Sequence, residues 1–208
     1  MKAVFASSPG SAANLVYGEL PTPTPGPGQA LVKIVTSGVN FIDVYFRTGL
    51  YKADLPLQLG MEAAGVVEAV APDVKILKPG DRVAYAMARG SYAEFAVVPA
   101  WQLVPMPDAL DFNSAAATML QGMTAHYLSH STFPLQSGQT CIVHAAAGGV
   151  GLLLTQIAKK MGAHVIATVG SDAKADLARQ AGADHVVNYS TQDFQAEARG
   201  LHPAKAST

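Results

Sequence analysis

One stretch constrains the fold of this chain more than any other: Thr140 to Gly170, TCIVHAAAGGVGLLLTQIAKKMGAHVIATVG. An apolar run, Thr140 to His144, enters a turn of small residues, after which Leu153, Leu154, Ile157 and Ala158 recur at helical spacing through Val150 to Met161. Gly162 stops that helix, and His164 to Val169 supplies a second β-branched run. The stretch therefore reads as a βαβ unit, and the crossover makes its two strands parallel.

Within the turn, Ala146-x-Gly148-x-x-Gly151 occupies the three small positions of a dinucleotide fingerprint. The first allows the tight turn, the second lets backbone approach a pyrophosphate, and the third brings helix close to strand. Free N–H groups and the helix dipole then face the phosphates. Alanine in place of the first glycine departs from the motif, but strand, helix and second strand all fall where it requires them. Nucleotide binding is the expectation. An NAD site places Asp or Glu at the end of the second strand, about 20 residues past the fingerprint. Here that place reads Val169-Gly170-Ser171, with Asp172 next. Asp172 keeps NAD open, whereas Ser171 and Lys174 offer a donor and a cation suited to a 2′-phosphate and favour NADP.

The rest of the chain is compatible with a globular nucleotide-binding protein and unsuited to some other roles. Half of its 208 residues are hydrophobic and 14% are charged, the balance of a globular chain with ample core. A net charge of −1 without a basic block argues against nucleic acid and anionic membrane as partners. The one cysteine, Cys141, falls in the fingerprint strand, which rules out an internal disulfide or a cysteine zinc cluster and fits a cytoplasmic setting. The N-terminal apolar run is too short for a signal peptide, and no apolar stretch is long enough to span a bilayer.

Upstream, Met1 to Ser7 reads as a strand, and a proline-rich loop, Pro21 to Gly28, separates it from a second at Ala30 to Val35. Asn40 caps a short helix, Phe41 to Arg47, closed by Gly49. Ala63 to Val70, Arg82 to Tyr85 and Tyr92 to Val98 read as further strands joined by turns such as Lys78-Pro79-Gly80-Asp81. A small barrel-like β domain follows from that spacing. At Asp111 the period changes, and a helix from Ala115 to Leu128, capped by Asp111, Asn113 or Ser114, carries the chain into the fingerprint unit. Asp172 to Gln180 is a second crossover helix and His185 to Tyr189 a third strand, after which Gln192 to Thr208 is polar.

In order and spacing these motifs resemble the zinc-independent quinone oxidoreductases of the medium-chain dehydrogenase/reductase superfamily, the group that includes zeta-crystallin. The resemblance covers Met1 to about Phe194. It rests on the Gly38 to Tyr45 segment, Arg47 to Tyr51, Gly60 to Gly65, Lys78 to Val83, Gly122 to Ala125 and His144 to Gly151. Zinc-dependent relatives carry a catalytic cysteine near the segment Ser37 to Asp43, a Gly-His-Glu motif where this chain has Gly60-Met61-Glu62, and a four-cysteine lobe after Val83; none is present.

The resemblance implies an α/β plus β fold: a GroES-like β-barrel domain over residues 1–112, then an incomplete Rossmann domain (parallel βαβαβ) over 113–208 with a polar tail from about Gln192. It implies reduction of a quinone or related conjugated carbonyl (an enone, for example) by NADPH, without a metal, in the cleft between the domains, with a homodimer common in the family. Position by position, Asn40, Tyr45 and Tyr51 match catalytic residues lining that cleft. Asn40 also matches a cofactor contact, and Thr124 a contact near the nicotinamide. Gly148, Gly149 and Val150 match the pyrophosphate turn, and Ser171, Lys174 and Tyr189 the adenosine-phosphate subsite. Asn and Tyr side chains can donate to an oxygen that gains charge as hydride arrives, the role of zinc in the relatives. The resemblance also implies a longer chain, since family members continue with further strands where this one reads Arg199 to Thr208. The ending reads as a premature stop or altered frame, and a catalytically weak or inactive NADPH-binding fragment is the alternative to an active reductase.

Other residues carry weaker signals. His144, at the end of the first fingerprint strand, suits a local hydrogen bond better than a general acid's role. His126 and His130 are four apart on a helix, but no third metal ligand stands out. Glu62 is a carboxylate in an apolar stretch, expected to be paired structurally. Met119 and Met123 read as core filling.

Overall fold

The computed structural model describes residues 1–201, and the chain divides into two compact units, Met1–Leu120 and Gln121 onward. The first unit opens with β1 (Lys2–Ala6), β2 (Leu15–Glu19) and β3 (Gln29–Ser37), followed by α1 (Phe41–Thr48) and β4 (Leu57–Gln58). It continues through β5 (Glu62–Val70), β6 (Arg82–Ala86), β7 (Phe95–Pro99) and β8 (Val104–Pro105). Two antiparallel sheets result, ordered β2-β1-β4 and β7-β3-β5-β6-β8. Alternation along β3, β5, β6 and β7 sends Val32, Val67, Val83, Tyr85 and Val98 into one core, all essentially buried. Sequence reading extends β7 back to Tyr92, but Tyr92 to Glu94 instead bonds to β1: Val4 N–H donates to the Tyr92 carbonyl at 2.7 Å, and Glu94 N–H to that of Lys2 at 3.0 Å. This segment links the two sheets, which is why its residues do not simply alternate. Strands β4 and β8 are two residues long, too short to leave a period, and β2 is largely exposed. Those three elements escape sequence reading.

Two backbone devices shape this unit. β3 is irregular between Ile34 and Thr36, and opposite it a β-carbon at Gly65 would overlap the Lys33 carbonyl oxygen, so only glycine lets β3 and β5 approach there. α1 starts in a capping box, with Asp43 accepting the Asn40 backbone N–H at 3.0 Å, and stops at Gly49 in the left-handed region, φ 81°.

The helix α2 (Phe112–Tyr127) spans the division between the units. Its cap is Asp111, whose carboxylate accepts from Ser114 N at 3.0 Å and Ser114 Oγ at 2.7 Å; the helix thus begins three residues earlier than its apolar pattern suggests. It ends in a π-turn, Leu128–Thr132.

The second unit then alternates strand and helix: β9 (Thr140–Val143), α3 (Gly149–Lys160), β10 (His164–Val169), α4 (Asp172–Gln180), β11 (His185–Asn188) and α5 (Phe194–Leu201). Its sheet is wholly parallel, in the order β11-β10-β9. Central β10 is buried on both faces from Val165 to Val169, which explains why that stretch shows no alternation of apolar with charged residues. α3 presents small residues, Gly151, Thr155 and Ala158, to the sheet, and a β-carbon at Gly151 would overlap the Ala145 carbonyl oxygen. The segment expected as a polar tail from about Gln192 is in part the helix α5. Asp193 caps it, accepting from Gln195 N at 2.9 Å, and the edge of the Phe194 ring meets His144, centroids 5.4 Å apart. The helix is eight residues long and buries none of them, so its polar sequence reads as a tail. The remainder of that tail, 202–208, lies outside the described residues.

Candidate functional site

In the first unit, α1 and the loop after it gather the residues proposed for catalysis. Asn40, Tyr45 and Tyr51 occupy the cap, the body and the exit of one short element, so their association is largely local. The Tyr45 and Tyr51 rings lie 5.3 Å apart, and the Tyr51 N–H donates to the Tyr45 carbonyl at 3.1 Å. The aromatic row extends to Phe41 on one side, 5.3 Å from Tyr45, and to Phe46 on the other, 5.5 Å from Tyr51, where the Arg89 guanidinium covers the Phe46 ring. Tyr45 is half-buried and Tyr51 exposed.

Asn40 is different. It is buried, and its Nδ2 donates to Glu62 Oε2 at 2.7 Å. Around it stand further buried polar groups: Asp43 Oδ2 accepts from the Tyr92 hydroxyl at 2.7 Å, and the Glu62 backbone N–H donates to Ser91 Oγ at 3.3 Å. Burial pushes the Tyr92 phenol well above its ordinary range, and its bond to Asp43 adds to the effect. Sequence reading places Asn40 and Glu62 separately; it misses their contact, and misses Asp43 and Tyr92 altogether.

In the second unit, the fingerprint turn lies between β9 and α3. Gly148 is the N-cap of α3, with extended backbone, and its N–H donates to Ala145 O at 2.8 Å. Gly148, Gly149 and Val150 therefore form the first turn of a helix whose N-terminal amides are suited to an anion. A β-carbon at Gly149 would overlap Gln121 Oε1, so the glycine makes room for a side chain from α2. Gln121 is a contact that no motif announces. Thr124, three residues on, shares its helix face and is half-buried.

The ends of β10 and β11 carry the remaining residues. Ser171 caps α4, accepting from Lys174 N at 3.4 Å, and the Lys174 side chain is exposed, with no ion pair among the described residues. Tyr189 lies across Gly170, where a β-carbon would come within 2.7 Å of its hydroxyl. Asp172, the residue that kept NAD open, accepts from Asn188 Nδ2 at 2.9 Å and so ties α4 to β11. His144 is engaged locally, its Nδ1 3.0 Å from Thr168 Oγ1.

The weaker candidates sort by geometry. His126 and His130 stack face to face, centroids 4.1 Å apart, with His130 Nδ1 against Ser129 Oγ and the His126 carbonyl rather than turned toward a shared ion. Met119 packs against the small cluster of Ala64, Ala84 and Met106, but Met123 is 46% exposed and fills no core. Cys141 is half-buried, and burial pushes its thiol up.

Against known proteins, residues 26–108 match the alcohol dehydrogenase GroES-like domain and residues 149–207 a family described as zinc-binding dehydrogenase. A quinone oxidoreductase of Pseudomonas aeruginosa is 48% identical over 181 residues, covering 86% of this chain and 56% of that protein. The crystal structure of Escherichia coli quinone oxidoreductase complexed with NADPH superposes with a TM-score of 0.95 at 38% identity, covering 99% of this chain and 64% of the other. A crystal structure of an NAD-dependent alcohol dehydrogenase is 34% identical at a TM-score of 0.88, and this chain covers 69% of it. The chain belongs to the zinc-independent quinone oxidoreductases of the medium-chain dehydrogenase/reductase superfamily. The GroES-like and Rossmann-type folds implied by the resemblance are those observed. The chain spans a little over half the length of the Pseudomonas relative. No helix among the described residues is long and apolar enough to cross a membrane.

Proposed function

We propose that this chain binds NADPH and passes its reducing equivalents to a quinone or related conjugated carbonyl, with protein donors in place of a metal. The observation that carries the reading is the turn at the start of α3. There Gly148 caps a helix at the end of a parallel strand, with the amides of Gly149 and Val150 in its first turn, in a chain 48% identical to a quinone oxidoreductase. Gly148, Gly149 and Val150 would hold the pyrophosphate. Ser171 and Lys174 would take the 2′-phosphate, with Tyr189 beside them. Asp172 gives one carboxylate oxygen to Asn188, and the hydroxyl of Ser171 and the exposed cation of Lys174 beside it support NADPH over NADH. When bound, the nicotinamide supplies hydride.

The residues of the first unit then act on the acceptor. Tyr45 and Tyr51 offer aromatic faces, tilted 53° to each other, against which a planar ring can pack, and their hydroxyls can donate to its oxygens. Asn40 and Thr124 would each offer a polar group to the coenzyme. A donor aimed at the oxygen that gains charge as hydride arrives lowers the barrier because its dipole is already oriented.

The test is a fluorescence titration of the purified chain with NADPH and with NADH, followed by addition of 1,4-benzoquinone. Tighter binding of NADPH and quinone-dependent decay of its signal are expected. Binding without decay would reduce the chain to a nucleotide-binding protein, and failure of a folded sample to bind either coenzyme would sink the proposal. Lys174→Ala is expected to weaken NADPH about tenfold and leave NADH unchanged, the size of one charge-assisted phosphate contact.

A further inference from the structure

Glu62 is 1% exposed, yet no ion pair engages it among the described residues. Its carboxylate is instead held by two neutral donors, one at each oxygen: Asn40 Nδ2 at Oε2, 2.7 Å away, and the backbone N–H of Leu120, in mid-α2, at Oε1. The backbone is shaped to admit it, because a β-carbon at Gly38 would overlap Glu62 Oε2. Burying a carboxylate against neutral donors is costly, and a merely structural hydrogen bond could be made by cheaper groups. What only a carboxylate provides is two acceptors at once. A glutamine at this position would turn its NH₂ toward either Leu120 N–H or Asn40 Nδ2, donor against donor.

We infer that Glu62 is a positioning residue: it determines which way round the Asn40 amide is held. An amide is nearly symmetric in shape, and packing alone distinguishes its oxygen from its nitrogen poorly. An obligate acceptor beside it does so decisively. With Nδ2 drawn to Glu62, the Asn40 oxygen is turned away from it, toward the α1 side, where the capping box with Asp43 forms. The inference deepens the proposal that Asn40 contacts the reacting molecules, and its catalytic consequences rest on that reading.

The substitution that probes it is Glu62→Gln, nearly equal in volume. Nitrogen-15 spectra of the whole chain come first, with the Asn40 side-chain NH₂ signals identified by their loss in Asn40→Ala. In Glu62→Gln those signals shift while the backbone signals of β9 to β11 stay in place. Gly38→Ala, which pushes the carboxylate aside while leaving Glu62 and Asn40 chemically intact, moves the same pair; it serves if the glutamine variant does not fold.

Turnover of NADPH with 1,4-benzoquinone is then compared. Glu62→Gln lowers kcat about tenfold or more while the dissociation constant of NADPH stays within about twofold, as misorientation of one donor would. Adding Glu62→Gln to Asn40→Ala costs nothing further. Unmoved Asn40 NH₂ signals, or losses that multiply in the double variant, would overturn the inference. If the wild-type chain neither binds NADPH nor turns over, the proposed function fails by itself, and the NH₂ signals alone decide the matter of orientation.

Discussion

The same phenol hydroxyl has opposite meanings at two positions. The Tyr85 side chain is fully buried in β6, and among the described residues its hydroxyl meets no hydrogen-bond partner; burial pushes its ionisation far upward. Tyr85→Phe removes an unpaired polar atom at little change in volume and is expected to raise stability by about 1 kcal/mol. The Tyr92 hydroxyl donates to buried Asp43, so Tyr92→Phe leaves that carboxylate short of a donor and is expected to cost about 1–3 kcal/mol. Urea unfolding of both variants checks the pair, and equal effects would show that the hydroxyls are not distinguished by their partners. Neither role is written in the residue type. Asn40 makes the same point: its capping role is legible from the glycine-closed helix that follows, but its contact with Glu62 is not.

Between elements, one carboxylate joins the second unit's parts. Asp184, in the turn before β11, accepts from Lys159 of α3 at 2.8 Å and from the β10 backbone at Val165 N, 2.7 Å. Partial burial raises its carboxyl, but these hydrogen bonds outweigh that and hold it below the usual carboxylate range. A carboxyl whose folded pKa lies below its unfolded value stabilises the fold above the unfolded pKa, about 4. That contribution is lost as pH falls through the folded value. Asp184→Asn is therefore expected to cost about 1 kcal/mol at pH 7, a modest figure because the pair is 32% and 30% exposed. The difference from wild type should shrink as pH falls below about 4 and vanish only below the folded value. Unfolding curves at pH 7 and pH 3 test this; a constant difference would assign the effect to packing. The elements so joined are largely those read from sequence, because strands near five residues and helices above nine carry a clear period. Those that escape it are too short, as β4 and β8 are, too exposed, as β2 is, or too polar, as α5 is.

At the scale of the whole chain, β9 forms one edge of a parallel sheet, with β10 its one strand neighbour among the described residues and Ile142 44% exposed. Leu128, Phe133, Leu135 and Leu154 border an apolar recess of about 130 Å³ beside it. Parallel sheets are ordinarily covered, and an apolar edge favours association. Ile142→Lys is expected to reduce concentration-dependent light scattering at neutral pH and low salt without altering the circular dichroism of the fold. Unchanged scattering would show that this edge drives no association. What the sequence by itself determined is the parallel βαβ succession, its glycine turn and the Asn40 cap of α1. Each depends on residues a few positions apart, whose periodicity and turn chemistry act locally. Only the tertiary structure decided the buried polar cluster. Asn40 and Glu62 are 22 residues apart, and Asp43 and Tyr92 are 49, and no local rule connects them. They meet because the sheets bring β5 and the Ser91–Tyr92 turn behind α1, where a buried polar group must find a partner.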